Sequence, residues 1–270
     1  MKHVMLDAYG TEEQQSSDMM HINNLLNKLT YNLGLDPVAP PVLIPYYYGS
    51  VKEDVGITAY VFLKGGHITI HTFPIRGCYF VDCLSQNDFD DKEFYQMFLK
   101  KLPFDEGKST YQVSERKLVG KKIMEYTPKV DFGPHYMMQI KSSKVPSMDD
   151  MFDFLETIVP GIGMDEITRA SVIKDSMVKT EWLSAIIIIA QSHIALHYSY
   201  ESGNIYADVF SCAPFDYTVL DKEFSILGSI EASELIPRGT KHLYRIKNRE
   251  EVQELLADTK WQKVVKKEGK

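Results

Sequence analysis

Apolar positions along the chain follow two periods, about 3.6 and 2, and these predict most of its elements. Residues 3–9 (HVMLDAY) read as an opening strand. A helical pattern starts at Ser17-Asp18, a candidate N-cap, and puts Ile22, Leu25, Leu26 and Leu29 on one face up to residue 33. A Pro-rich loop (DPVAPPVLIP) follows. Residues 57–63, 67–73 and 78–84 predict three strands, the first two joined by a turn at Lys64-Gly65-Gly66. Residues 91–102 predict a helix with Phe94, Met97, Phe98 and Leu102 facing inward, and Pro103 ends it. Residues 104–131 are polar, with a Lys-rich patch at 117–122, and read as the end of one unit plus a connector. The order then restarts. Residues 132–140 (FGPHYMMQI) echo the first strand, and 147–158 predict a helix with Met151, Leu155 and Ile158 on one face. Residues 182–190, 193–200 and 205–211 predict three strands, and 249–260 an amphipathic helix carrying Val252, Leu255 and Leu256. The isoleucine run at 186–189 suits a strand covered on both faces.

The restart is residue for residue in places. At an offset of 126, Gly66 meets Ser192, His67 meets His193, His71 meets His197, Asp82 meets Asp208 and Asp90 meets Asp216. This predicts an internal duplication, with halves 1–125 and 126–270. Each half is a sheet with helices on one face, so the bare faces need cover, which fusing the halves supplies. The mismatches carry chemistry. Ser192, Cys212, Ser184 and Glu201 of the second half face Gly66, Gln86, Thr58 and Ile75 of the first. The second half holds a nucleophile-bearing set, while the first keeps the histidines.

Length and composition fit a packed globular chain: 270 residues, 44% of them hydrophobic. A net charge of -7 argues against nucleic-acid binding. Three cysteines, Cys78, Cys83 and Cys212, are too few for a disulfide framework, so a reducing, cytoplasmic setting is expected. The opening MKHVMLDAYG has no apolar leader core, and polar residues interrupt the longest apolar run, so neither a signal peptide nor a membrane span is expected.

The second half resembles the S-adenosylmethionine decarboxylase family, the pyruvoyl enzymes of polyamine synthesis. The family pattern is Glu-Ser-His-x-x-x-His, with a Ser eight residues before the processed Ser and a Cys twenty after. Here Gln191-Ser192-His193 with His197, Ser184 and Cys212 keep that spacing, and HVMLDAY resembles the family's first strand. The resemblance implies an α+β fold, an αββα sandwich of two duplicated halves, fused in one chain with a degenerate first repeat. It implies self-cleavage at the Gln191-Ser192 junction, leaving a covalent pyruvoyl group derived from Ser192. His197 is then the base for the Cα proton, Ser184 the support of the carbonyl and Cys212 the general acid in decarboxylation. Glu201 matches a family acid that contacts substrate. The chain departs from the pattern at Gln191 (family Glu), Ser199 (family aromatic), Tyr200 (family Pro) and Val178, where members often place a second aromatic. Phe73, the first-half match of Ser199, could supply the aromatic if the fold carries it across.

Blander roles are expected elsewhere. His67 and His71 lack a partner serine or cysteine and read as core or interface residues, and Cys78 and Cys83 as buried thiols. His193 and His197, four apart on a strand, stand ~13 Å apart, too far to share zinc with Cys212, so no metal is expected. The expected function is a self-processing decarboxylase acting on S-adenosylmethionine. The alternatives are a pyruvoyl decarboxylase of arginine or ornithine, or a non-catalytic regulatory partner of a decarboxylase. The expected partner is a small-molecule substrate, with homo-oligomerisation left open.

Overall fold

The computed structural model describes residues 1–49, 51–128 and 130–240. The helix expected at 249–260 and the basic tail lie outside the described residues. The first sheet contains β1 (Lys2–Tyr9), β2 (Val42–Tyr46), β3 (Gly56–Leu63), β4 (Gly66–Phe73), β5 (Cys78–Ser85) and β6 (Thr110–Glu115), in the order β2-β3-β4-β5-β1-β6. Helices α1 (Glu13–Ser16), α2 (Met19–Asn32) and α3 (Asp91–Lys101) connect its strands. The second sheet contains β7 (Lys121–Ile123), β8 (Gly133–Ser142), β9 (Ser171–Lys174), β10 (Trp182–Ile189), β11 (Ser192–Ser199), β12 (Asn204–Phe210) and β13 (Gly228–Arg238). Its order is β7-β13-β8-β12-β11-β10-β9, with α4 (Met148–Gly161) and α5 (Tyr217–Phe224) inserted.

Strand alternation sorts the side chains into layers. In the first sheet Val4, Leu6, Ile57, Ala59, Val61, Ile68 and Ile70 face Ile22, Leu25, Leu26 and Leu29 of α2 and Phe94 and Phe98 of α3. In the second, Met138, Ile140, Leu183, Ala185, Ile187, Ile194 and Leu196 pack on Met151, Leu155 and Ile158 of α4 and Leu220 and Phe224 of α5. Each such side chain, fully buried, contributes about 1.5–3 kcal/mol. The opposite faces of the two sheets meet. There Tyr60 and Phe62 pack on Ile186, Ile188 and Ala195, and Phe73 and Phe80 pack on Phe132 and Phe210. The result is the expected α+β arrangement of helix, sheet, sheet and helix.

Both sheets repeat one ladder register. Thr58 pairs with His71 and Leu63 with Gly66, while Ser184 pairs with His197 and Ile189 with Ser192. Asp90 caps α3 and Asp216 caps α5, each accepting from backbone N–H groups of its first turn. The helix that follows the second strand meander is therefore α5, which the hydrophobic pattern does not predict. The stretch read as a connector supplies two edge strands, β6 and β7, and the Pro-rich loop supplies β2. Strand β13 also escapes the sequence reading.

The inter-sheet face carries a buried charge network. Arg116 donates to Asp208 across the sheets at 2.7 Å. Arg238 donates to Asp82 at 2.6 Å and to Asp7 at 2.7 Å. Arg238, Asp82 and Asp208 are fully buried. Arg116 and Arg238 occupy matching places at the ends of β6 and β13, so each half sends an arginine to the other half's aspartate. His3 and His135 lie between them, rings 5.5 Å apart and edge to face.

Candidate active site

Strands β10 and β11 form a hairpin closed by Ala190-Gln191. Gln191 has φ +58°, the one positive φ outside glycine among the described residues, and its side chain is fully buried. A left-handed non-glycine residue is strained by about 1–2 kcal/mol. The matching turn of the first sheet has Gly65 at φ +67°, where no such strain arises. Backbone strain is thus held at the residue whose carbonyl precedes Ser192.

Ser192 opens β11 and is 2% exposed. Its Oγ accepts from the Cys212 backbone N–H at 2.9 Å, and the Cys212 thiol donates to the Ala190 carbonyl at 3.3 Å. The serine and cysteine twenty residues apart in sequence therefore meet at one turn. Cys212 also packs against the aromatic cluster of Tyr9, Phe73, Phe80, Phe132 and Phe210. Phe73, on β4 of the first sheet, lies in the same cluster.

The groups touching Gln191 come from the first sheet. Thr58 Oγ1 donates to Gln191 Oε1 at 2.6 Å. His71 Nδ1 lies 3.0 Å from the same hydroxyl, and His71 Nε2 lies 2.8 Å from His193 Nδ1. Because the threonine has one proton and gives it to Gln191, His71 donates from Nδ1 and accepts at Nε2. His71 is neutral: burial first, then the Arg238 charge, takes its pKa down to about 3 against the pull of Asp82. His193 is held well below the ordinary histidine range by burial and by the facing His71 and His67.

Ser184 and His197 form the matching pair, 2.8 Å apart, but at the other junction. His197 Nε2 meets His67 Nδ1 at 2.7 Å. His197 lies five residues along β11 from Ser192, ~16 Å at the usual strand rise, and on the opposite face. The structure does not bring it, or Ser184, to Ser192. Glu201 is exposed in the turn beyond Ser199, at the far end of β11. Val178 is 98% exposed in the loop before β10.

Tyr46, on β2, borders the live turn. The pKa of its phenol is raised, chiefly by burial. Asp54 pairs with Arg76, whose Nε donates to the Glu53 carbonyl at 3.0 Å. His3, His135 and Asp208 could present ligand atoms within 4.8 Å of one another. The Arg116 guanidinium on Asp208 already supplies the positive charge that a cation would bring there.

Residues 2–117 match the family model of S-adenosylmethionine decarboxylase. The chain resembles that family. The matched segment is the half that carries Thr58, His67 and His71. A crystal structure of the adenosylmethionine decarboxylase from Aquifex aeolicus VF5 aligns with 23% identity, over 44% of this chain and 91% of that one, with a TM-score of 0.37. A search of curated proteins finds no match. No described helix is long and apolar enough to cross a membrane.

The structure sets Ser192 beside Cys212 at the Gln191 turn, and Ser184 with His197 beside His67 at the other end of the strand. Thr58 and His71 were visible as the first-half matches of Ser184 and His197. Their signal was the repeat itself, since sheets packed face to face exchange partners between halves. Arg116 and Arg238 were missed because β6 and β13 stand at an offset of 122, outside the register that matched the other strands.

Proposed function

We propose that the chain is a self-processing, pyruvoyl-dependent decarboxylase of S-adenosylmethionine, built from repeats 1–125 and 126–270. The observation that carries this reading is the strained Gln191, held by Thr58 from the other sheet, immediately before a buried Ser192 backed by Cys212. Ser192 Oγ attacks the Gln191 carbonyl carbon, the peptide C–N bond breaks, and the residues are joined by an ester. The shift relieves the left-handed backbone at Gln191. Removal of the Ser192 Cα proton then expels Gln191 as a carboxylate. Hydrolysis of the dehydroalanine left behind releases ammonia and leaves the pyruvoyl group. We assign the proton transfer to His71, the buried neutral histidine linked through Thr58 to Gln191, with Thr58 orienting it. Ser184 and His197 then act as structural partners of His67.

A pyruvoyl group at this position would supply a ketone as an electron sink for decarboxylation of an amine-bearing substrate. Cys212 holds its proton at Sγ beside that group, where a general acid is needed. Phe73, in the aromatic cluster on which Cys212 packs, offers an apolar wall to the substrate. A basic amino acid, arginine or ornithine, is the second reading, favoured by Ser199 and Tyr200 standing where the family pattern has an aromatic and a proline. Purified chain should resolve on a denaturing gel into residues 1–191 and 192–270, the second fragment starting with pyruvoyl by mass. Carbon dioxide release from S-adenosylmethionine, arginine and ornithine, each offered separately, then identifies the substrate. A chain that stays intact leaves the regulatory-partner reading in its place.

A further inference from the structure

The two junctions differ in what lies over them. Above the first-sheet turn Lys64-Gly65 sits the indole of Trp182. A Cβ built on Gly65 would come 2.4 Å from its ring. Trp182 Nε1 donates to Gln86 Oε1 at 2.7 Å, and Gln86 is the counterpart of Cys212. The indole is therefore seated between the residues that match Gln191 and Cys212. Its backbone is fixed by Asp175, whose Oδ1 accepts from the N–H groups of Glu181 and Trp182. Lys64 and Glu181, the chain neighbours of Gly65 and Trp182, form an ion pair at 2.5 Å. Trp182 is 9% exposed.

At the live junction the counterpart of Trp182 is Gly56. A Cβ there would fall 1.9 Å from the Thr72 carbonyl oxygen, so no side chain can grow from that position on β3. The indole that stands beside Gln86 at one junction therefore has no β3 counterpart at the other.

We infer that Trp182 is an internal plug occupying the vestigial ligand site of the first-half junction, and that this site, once vacated, takes a flat bicyclic heterocycle. The ligand class rests on the proposed adenosyl substrate, and an indole and an adenine are both planar bicycles of similar size. The plug makes the chain a one-site protein, so that its asymmetry lies in binding as well as in chemistry.

The test is the difference in binding stoichiometry between wild-type protein and Trp182→Ala, titrated calorimetrically with 5′-methylthioadenosine, which has no amine to react. Trp182→Val, which puts a strand-favouring β-branched residue in β10, serves if the alanine variant does not fold by circular dichroism. The expected result is one equivalent more for the variant than for wild type, with the extra equivalent displaced by free indole. Equal stoichiometry in a folded variant overturns the plug. Wild-type protein that binds none while the variant binds one supports the plug and instead removes the adenosyl reading of the live site.

Discussion

Replacing His71 and His197 in turn by alanine separates two readings that the sequence alone cannot. The residues are matched in register, each is fully buried, and each bonds one hydroxyl and one histidine of the opposite sheet. Each substitution leaves two buried polar groups without a partner, at about 1–3 kcal/mol per group. The stability losses should therefore be similar. Processing should not be. His71 is linked through Thr58 to Gln191, whereas His197 lies ~16 Å of strand away from Ser192. A positioned base contributes about 10²–10⁴ in rate, or roughly 3–5 kcal/mol of barrier. His71→Ala should slow self-cleavage by that factor and His197→Ala by far less. The assay is the fraction of pulse-labelled chain cleaved over time on denaturing gels, with melting curves of both variants on a Ser192→Ala background. Cleavage blocked by His197→Ala and spared by His71→Ala would refute the cross-sheet assignment.

Gln191→Gly removes the left-handed strain, so cleavage should slow by about 5–30-fold, the equivalent of the ~1–2 kcal/mol released; an unchanged or faster time course counts against strain as a driving force. Arg238→Ala strands Asp7 and Asp82 in the inter-sheet layer and should lower stability by about 3–5 kcal/mol in urea unfolding, and a loss below ~1 kcal/mol would show that the network is not what joins the sheets there. Acid should destabilise the fold below neutrality: His67 and His71 titrate in the folded chain at about 4 and about 3, against the ordinary 6.5 when unfolded. The unfolded chain thus binds more protons between those values, and stability, full above pH ~6.5, falls by up to ~1.4 kcal/mol per pH unit for each histidine as pH drops toward 4. A flat melting temperature from pH 7 to 5 would contradict buried, neutral histidines.

The fold was legible where periodicity was strong and segments were long. Strands β1, β3, β4, β5, β10, β11 and β12 and helices α2, α3 and α4 all stand within a few residues of where apolar alternation or a helical face puts them. What escaped lay mostly at edges and among short elements. The burial of β6 and β7 is slight, so nothing in their residues alternates sharply, and three-residue β7 is held by pairing with β13 alone. Helix α5 is only eight residues long, too short for its pattern to stand out from the polar stretch around it. Its Asp216 cap was nonetheless visible in the repeat match with Asp90. Strand β13 runs through Gly228 and Pro237 and shifts register between Ile230 and Ala232, which breaks the period of two.

The site was legible in its chemistry and not in its partnership. Spacing alone joined Ser192 to Cys212, because both flank one edge of a two-strand ladder and ladder register is local. The base was a different problem. On β11 the histidine five residues after the serine must point to the other face, whatever its match to a family pattern, since side chains alternate. That face meets the first sheet, where the near-twofold relation of the halves sets His71 against His193 and His67 against His197. The first repeat has neither the serine nor the cysteine, yet its threonine and histidine reach the Gln191 turn of the other half. The arginines follow the same exchange, each crossing to the far aspartate. In a fused sandwich of this kind, which half holds the nucleophile and which half holds the base are separate questions, and only the second depends on how the sheets are stacked.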